Sequence, residues 1–565
     1  MTDRLSIALV QINPAAGNLA ANADRLRAAR AEAAARGADL VVCPAASLSG
    51  TPLLDLAAFP AFLDAAEATV QALAEDTADG GPALLVGTPW RGEVGRGDIG
   101  HDGSKRHNAA LLLDGGKIAA VRFQAATVAG EVGGPEEDRF DNGPMPGPVN
   151  VRGVRIGLLI GSDLATGDVA ETLAESGAEL LVAMLASPFA PGRADERVQA
   201  AVARVVECGL PLAAVNLIGG QEERVFDGGS FGLAIGGRLV AQAPLFAEHL
   251  LLTRWERGED GFWDGCDAET IAPAEGTEAL YGALVLGLHD AVTKSGAPGA
   301  VVGLTGGLDS ALVAAIAVDA LGPERVLAVR APLPGNPEAG FAGALADSLD
   351  DAAEIVELLG CRLDNVALAP LLKAADSLLA PAFAGREPAV AVERMHSRLR
   401  AATLAALAER MGALLLSSVD RTDRLLGLAP DEAGCGYSVL ADVPKTSVLE
   451  LARWRNSNQP AASRGPAGLV VPERVLTRRM KAETPAGLPS AEALDDLLTG
   501  LLDGGLSPAD LVARGHSAET VSAVWRLLVQ AETGRRRAPP GPQVSRRAAA
   551  RLRRFPIADG FTDLL

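Results

Sequence analysis

Val301 to Leu312 reads VVGLTGGLDSAL. An apolar run ends in glycines, and an Asp-Ser pair then opens a second apolar run of helical composition. Glycines let a backbone approach a polyphosphate closely. The N–H groups at the start of the following helix would point at that anion. Asp309 is placed to hold a magnesium ion bridging the phosphates. The plainer reading is a glycine-rich strand-to-helix turn that binds nothing; the Asp309-Ser310 pair at the helix entry weighs against it. The stretch lacks the GxxxxGK[ST] pattern, so transfer of a γ-phosphoryl group is not its natural chemistry.

Working outward, EALYGALVLGLHDAVTKSG before the loop and DSALVAAIAVDALG after it read as helices, and RVLAVRAPLP as a strand. That order is the start of a parallel βαβ unit. The first half of the chain has a different rhythm. LSIALVQI, ADLVVCPA, PALLVGTPW, HNAALLLDGG, VRIGLLIG, AELLVAML, LPLAAVNLI and GSFGLAIGGRLVAQAP are strand candidates. NADRLRAARAEAAARG is a helix with Asn at its start and Gly just past its end. Strands alternating with helices argue for an α/β sandwich. TRWERGEDGFWDGCDAETIAP breaks the rhythm and is expected to be a linker. From about Asn456 the chain is rich in Pro, Arg and Gly between helices and reads as a mobile segment followed by a small helical cap. There is no internal repeat.

Composition sets the bounds. At 565 residues the chain exceeds one core. It is 48% hydrophobic and 22% charged, and it has no apolar run of about 20 residues, so no membrane partner is expected. A net charge of −20 disfavours nucleic acid. Five cysteines stand without CxxC spacing, which argues against a zinc site or a disulfide framework. MTDRLSIALVQI reads as a first strand rather than a signal peptide. A cytoplasmic location is the expectation.

A second strand exit poses a question. Leu158 to Asp168, LLIGSDLATGD, runs from an apolar strand straight into Gly161-Ser162-Asp163. A sharp exit of this kind is where a hydrolase-like domain presents its nucleophile. Here the exposed position is glycine, which has no side chain to attack with.

GLTGGLDS resembles the SGGxDS loop of the ATP pyrophosphatases, which cut ATP between the α- and β-phosphates to adenylate a substrate. ERMHSRLRAATLAALAERMGALLLSS, DVPKTSVLELARWRN and GRRRAPPG extend the likeness to glutamine-dependent NAD synthetase. RHNAALLL, ASPFAPGR and NLIGGQEERVFDGGSFGLAIGGRLVAQAP resemble its nitrilase-like glutaminase domain. The resemblance runs in order over the whole chain. It implies a nitrilase-like αββα sandwich over residues 1–268 and an adenine-nucleotide α-hydrolase-like, Rossmann-like parallel-sheet domain over 269–565. ATP and Mg2+ are the implied cofactors.

Carried over residue by residue, the resemblance places Gly303, Thr305, Gly306, Gly307, Asp309, Ser310, Ser418, Lys445 and Thr446 at ATP. Thr305 takes the place of the loop serine. Where the family has TGNKSE this chain reads SVDRTD, so Asp423 stands in for a metal-binding glutamate beside Asp309, and Arg421 for a lysine. Lys445 and Asp309 are the implied catalytic residues; read alone, Lys445 is a solvated charge at a helix entry whose loss leaves stability unchanged. Glu393, Arg398 and Asp442 are implied at the acceptor. That side departs most: Arg394 and His396 replace the Asn and Gln of ENIQAR, Gly534 replaces the lysine of KRRQAPPG, and RRMKAETPAGLP and APDEAGCGY differ from the family's runs.

The glutaminase half departs further. The family uses a Glu-Lys-Cys triad in which cysteine attacks the amide, glutamate acts as base and lysine steadies the oxyanion. The glutamate's place in the PEL run is Ala45. The lysine's place falls at Phe123 or Gln124 in AVRFQAAT, and the cysteine's place is Gly161. No lysine stands between Lys117 and Lys294. Cys43 reads as a buried structural thiol. Ser162 is a conceivable replacement nucleophile, but it needs a positioned base, and His107 is the nearest candidate in sequence.

Two readings stay open. One is an ATP-dependent ligase that amidates nicotinic acid adenine dinucleotide with free ammonia. The other is a catalytically inactive paralogue acting as a nucleotide-binding or structural subunit. A different carboxylate acceptor is a weaker third. The resemblance also implies a homo-oligomer, built on a dimer of synthetase domains and extending to an octamer.

Overall fold

The computed structural model describes residues 3–92, 105–127, 140–333, 342–383, 389–428, 432, 434–481, 488–546 and 554–557. The chain divides into two compact units, Met1–Glu275 and Gly276–Leu565.

Unit 1 is built on β1 (Arg4–Gln11), β2 (Leu40–Val42), β3 (Ala83–Arg91), β4 (Arg106–Asp114), β5 (Lys117–Phe123), β6 (Val149–Val151), β7 (Val154–Ile160), β8 (Leu180–Met184), β9 (Leu212–Val215), β10 (Ile218–Gln221), β11 (Arg224–Asp227), β12 (Phe231–Leu233), β13 (Leu239–Gln242), β14 (His249–Arg257) and β15 (Trp263–Gly265). One sheet has the order β15-β14-β1-β2-β3-β4-β5 and the other β13-β12-β9-β8-β7-β6; β10 and β11 form a hairpin. The strands are buried on both faces. In β1, Ile7 and Leu9 face the inter-sheet core with Leu158, Ile160 and Val182, while Ala8 and Val10 face helices α1 (Leu19–Ala35) and α2 (Pro60–Asp76) with Leu26, Val70 and Leu73. Helices α3 (Gly167–Glu175) and α4 (Arg193–Cys208) cover the other sheet through Val169, Leu173, Ala201 and Val205. The result is an αββα sandwich.

Two sequence expectations change here. The supposed linker carries the end of β14 and all of β15, with Trp255 and Trp263 buried in the core. Its charges alternate with those indoles across the sheet, so a half-buried strand reads as a polar break. Pairing continues through Ala268, Gln242–Glu269 and Ile271, and the division falls after Glu275. Helix α1 starts a turn early: Asn18 caps it by accepting from Ala21 N, whereas Asn22 is buried inside, bonded to Ala15 and Leu48.

Unit 2 opens with α5 (Gly276–Lys294), then β16 (Ala300–Gly303), α6 (Leu308–Leu321), β17 (Val326–Arg330), α7 (Ala342–Leu359), β18 (Arg362–Asn365), α8 (Ala369–Phe383), α9 (Ala389–Met411), β19 (Leu414–Ser417), α10 (Arg421–Leu426), β20 (Tyr437–Ser438) and α11 (Lys445–Ser457). All five strands run parallel in the order β18-β17-β16-β19-β20. The order reverses direction at β16, and the crevice beyond the carboxyl end of such a strand is where open parallel sheets bind ligands. VVGLTGGLDSAL is that strand end. Helices α12 (Glu473–Lys481), α13 (Ala491–Leu502), α14 (Pro508–Ala513) and α15 (Ala518–Gln530) follow, the last three packing with α10 around Leu425, Leu497, Leu511 and Val524. Residues 482–487 of RRMKAETPAGLP and 429–431 and 433 of APDEAGCGY lie outside the described residues.

The core of unit 2 is pinned by one ion pair. Asp319 on α6 and Arg455 on α11 are fully buried, joined by Arg455 Nε and Nη2 at 2.6 and 2.9 Å. Tyr281 of α5 and Ser463 donate to the same carboxylate at 2.6 and 2.7 Å. The remaining Arg455 donors reach the carbonyls of Asn458, Pro466 and Gly468. Removing one partner strands a buried charge. Asp319→Ala is expected to lower stability in urea unfolding by about 3–5 kcal/mol. Asp319→Leu combined with Arg455→Met is expected to regain most of that loss. An Asp319→Ala chain with an unchanged midpoint would show that the pair does not hold the core.

Candidate functional site

Ala45, Gln124 and Gly161 come from three separate strand ends of unit 1, and all three line one cavity of about 190 Å3. Ser162, Asn108, Ser187, Arg193 and Arg197 line it too. The strand exit keeps its sharp turn: Gly161 has φ 55°, a left-handed conformation that glycine adopts without cost. A Cβ at this position would stand 3.0 Å from Gln124 Oε1. Gln124 is itself fixed, accepting from Asn108 Nδ2 at 2.9 Å and donating to the Ala126 carbonyl at 2.8 Å. It is Gln124 that faces the cavity, while Phe123 stacks on His107 with centroids 4.2 Å apart.

The turn is held by Asp163, which accepts from the backbone N–H of Ile160, Ala125 and Ala126 at 3.0, 3.0 and 2.8 Å. Burial pushes its carboxyl up to about 6, against the pull of those three bonds. Ser162 gains no base from His107. That imidazole is buried, is not among the residues lining the cavity, meets the Asp141 carbonyl through Nδ1 and turns Nε2 toward Gly92. Cys43 is fully buried, and burial raises its thiol to about 12, so it is inert at neutral pH. Sequence reading passed over Arg197. It lines the cavity while its Nη2 donates to Asp227 and the Gly228 carbonyl, and its only linear signal is a place one helical turn after Arg193.

In unit 2 the glycine loop is internally braced. Thr305 N donates to Ser310 Oγ at 3.2 Å, the two hydroxyls lie 3.0 Å apart, and Gly307 N donates to Thr305 Oγ1 at 3.2 Å. Gly306 has φ 76° and Gly307 caps α6 with no side-chain bond. Gly303 leaves no room for a Cβ, which would meet Leu404 at 2.9 Å.

Lys445 opens α11 and turns back onto α10. Its Nζ lies 2.7 Å from Asp420 Oδ2 and 2.8 Å from Asp423 Oδ2. Asp309 is close enough to raise the Asp420 carboxyl, after burial and Asp423 have done so. The expected ATP loop and the expected lysine and metal-binding aspartate thus converge. The lysine is not solvated, as its sequence context suggests: its side chain is 11% exposed and bridges two carboxylates. Its removal would leave Asp420 buried beside Asp423, so the expected indifference of stability does not follow. Asp420 was missed by sequence reading, although it is the third residue of SVDRTD; being N-cap of α10 as well, it looks like a capping residue and nothing more.

The other expected residues separate into two groups. Thr446 gives its hydroxyl and N–H to Asp495 at 2.7 and 2.9 Å, tying α11 to α13. Asp442 is buried, accepting from Val544 N and Ser545 N at 2.9 and 2.7 Å. Arg421 is paired with Asp503 at 2.7 Å, and Ser418 follows the end of β19 half-buried. Glu393 and Arg398 line a different cavity, of about 970 Å3, with Arg394, Arg424, Gly534 and Arg537. Two of the three altered acceptor positions, 394 and 534, therefore face one space. His396 instead pairs with Asp376 at 2.8 Å.

Residues 6–259 match the carbon-nitrogen hydrolase family and residues 280–539 the NAD synthase family. The chain is 38% identical to the glutamine-dependent NAD(+) synthetase of Rhodobacter capsulatus, covering 100% of both chains. It is 33% identical to that of Synechocystis sp., covering 98% of this chain and 99% of the relative. A solved structure of glutamine-dependent NAD+ synthetase from Acinetobacter baumannii in complex with ADP is similar at a TM-score of 0.75 and 29% identity over 99% of each chain. No helix among the described residues is long and apolar enough to cross a membrane. With an αββα sandwich followed by a parallel-sheet unit of these two types, the chain belongs to the glutamine-dependent NAD(+) synthetase family.

Proposed function

We propose that this chain makes NAD from nicotinic acid adenine dinucleotide and ATP, that it takes ammonia as its nitrogen source, and that unit 1 does not hydrolyse glutamine. The observation that carries the second half is the cavity where Ala45, Gln124 and Gly161 meet. An amide can be cleaved there only by a nucleophile with a base and an oxyanion partner. A methyl group and a hydrogen supply neither nucleophile nor base, and the Gln124 amide is uncharged, with its Nε2 already donating to the Ala126 carbonyl.

The first half rests on unit 2. The acceptor's carboxylate attacks the α-phosphorus of ATP and pyrophosphate leaves; ammonia then attacks the acyl carbon and AMP leaves. Both steps gather negative charge on phosphate oxygens. Lys445 is the residue to meet it, and the N–H groups of Gly306 and Leu308, which the internal bracing of the loop does not use, would face the polyphosphate. Asp309 and Asp423 are the residues to hold Mg2+. Among the described residues no three acidic, His or Cys side chains form a ready metal cage. That fits magnesium, which commonly takes one or two carboxylates and completes its shell with phosphates and water. The Lys445 ammonium already seated on two carboxylate oxygens marks where a cation is welcome. When bound, Mg2+ would neutralise phosphate charge. Glu393 and Arg398 would contact the acceptor in the larger cavity, and the cytoplasm is the compartment proposed.

Three outcomes test this reading. Glutamate release from glutamine is expected to stay at background for the parent chain; release that is abolished by Ser162→Ala would revive a serine nucleophile and overturn the proposal. With ATP, Mg2+, ammonium chloride and the deamido-dinucleotide, the parent is expected to release pyrophosphate and form NAD. Lys445→Ala is expected to lose about 10²–10³ in rate and to melt earlier than the parent, so rates are compared at a temperature where both are folded. No pyrophosphate from the parent with any acceptor would leave the inactive-paralogue reading. The chain is also proposed to be a homo-oligomer, two-fold in its synthetase units, because isologous pairing is the usual closed assembly. Light scattering at micromolar concentration giving the monomer mass would contradict that.

A further inference from the structure

Asp420 has no role in the reading above, yet it holds the residue on which that reading depends. Its two oxygens do different work. Oδ1 accepts from Asp423 N at 2.8 Å and caps α10; Oδ2 takes the Lys445 ammonium at 2.7 Å. Its side chain is fully buried, while that of Asp423, the second carboxylate on the lysine, is 27% exposed. An asparagine in its place keeps the cap acceptor and loses the charge.

We propose that Asp420 is a positioning residue that stores Lys445 on the carboxylates while the site is empty, so that nucleotide and divalent cation bind as a coupled pair. The inference rests on the assignment of Lys445 to the polyphosphate. Asp420 cannot follow the lysine, because its other oxygen is committed to the helix cap. Swinging Lys445 toward a phosphate therefore leaves a buried carboxylate without its counter-charge, which is strongly unfavourable. Asp420 and Asp423 share this one ammonium, and Asp309 adds its negative charge beside Asp420, so a polyphosphate also enters against an excess of negative charge. A divalent cation held by Asp309 and Asp423 would supply the counter-charge that Asp420 loses, removing both obstacles and releasing the ammonium to the phosphates. An asparagine at 420 would leave the lysine held by Asp423 alone, and the obstacle to cation-free binding would shrink.

The experiment uses the full chain and α,β-methylene-ATP, which cannot be cleaved at the bond in question. Affinity is measured by calorimetry in excess Mg2+ and in EDTA. For the parent, EDTA is expected to weaken binding about 100-fold. For Asp420→Asn the loss is expected to fall to about tenfold or less, through tighter binding in EDTA. An unchanged ratio overturns the proposal. A second readout needs neither the variant nor the nucleotide: acetylation of Lys445, followed by mass spectrometry with exposed Lys117 as internal reference. Mg2+ or Mn2+ is expected to speed Lys445 labelling in the parent, and an unchanged or slowed rate overturns the proposal. If the parent binds no nucleotide under any condition, the assignment of function fails, and the labelling still decides whether the carboxylates store the lysine.

Discussion

A loop that leaves a sheet carries backbone N–H groups with no ladder partner, and a site loop must keep them satisfied without closing over the site. In this chain buried aspartates accept them. Asp163 takes three such donors at the strand exit of unit 1, Asp442 takes two from the segment at Val544 and Ser545, and Asp420 takes one at the start of α10. Asp495 ties Thr446 N and both the Thr422 and Thr446 hydroxyls to one carboxylate. The same side chains that could add repulsion to an acidic protein instead fix where its loops go. Each is buried where a partner awaits it, which is the condition for a carboxylate to be tolerated inside a fold.

This separation of support from chemistry explains the condition of unit 1. Asp163 holds the turn at Gly161 through backbone bonds, so the turn does not depend on which side chain occupies the exposed position. The cavity in turn is walled by strand ends and α4, whose packing is set by the sandwich core. A cavity held in this way keeps its shape whichever side chains stand at positions 45, 124 and 161. Gln124 makes local bonds to Asn108 and Ala126. A Cβ at 161 would press on that amide, so the cavity fits a glycine there.

Unit 2 combines both kinds of burial. The Asp319–Arg455 pair is saturated: both of its charged groups are hydrogen-bonded in full sight of backbone carbonyls, and it serves packing alone. The Lys445 cluster is the opposite case, two carboxylates on one ammonium with the charge of Asp309 added beside Asp420. An arrangement with surplus charge of one sign is poor support and a good receptor for an ion of the other sign. The contrast sets a saturated buried ion pair beside one with surplus charge within one parallel-sheet unit.

The sequence by itself determined the class of each unit and named residues that the fold brings together at two cavities and one carboxylate–lysine cluster. Glycines after an apolar strand, with Asp309-Ser310 behind them, require a βα turn whatever surrounds it, because the constraint is local backbone geometry. Ala45 and Gly161 were legible for the same reason: absence of a functional side chain needs no neighbour to establish. The β14–β15 hairpin was lost because its charged residues alternate with Trp255 and Trp263, and only pairing with β1 decides which face is inside. Lys445 was read as solvated for a related reason. Burial of a charge is a property of the partners that fold over it, and Asp420 and Asp423 lie on another helix entry. Tertiary structure alone decided that Gln124 rather than Phe123 faces the cavity, that Thr446 and Asp442 turn inward to anchor segments, and that positions 394 and 534 share a cavity. Such meetings are set by how strands and helices pack, and side-chain identity carries no record of them along the chain.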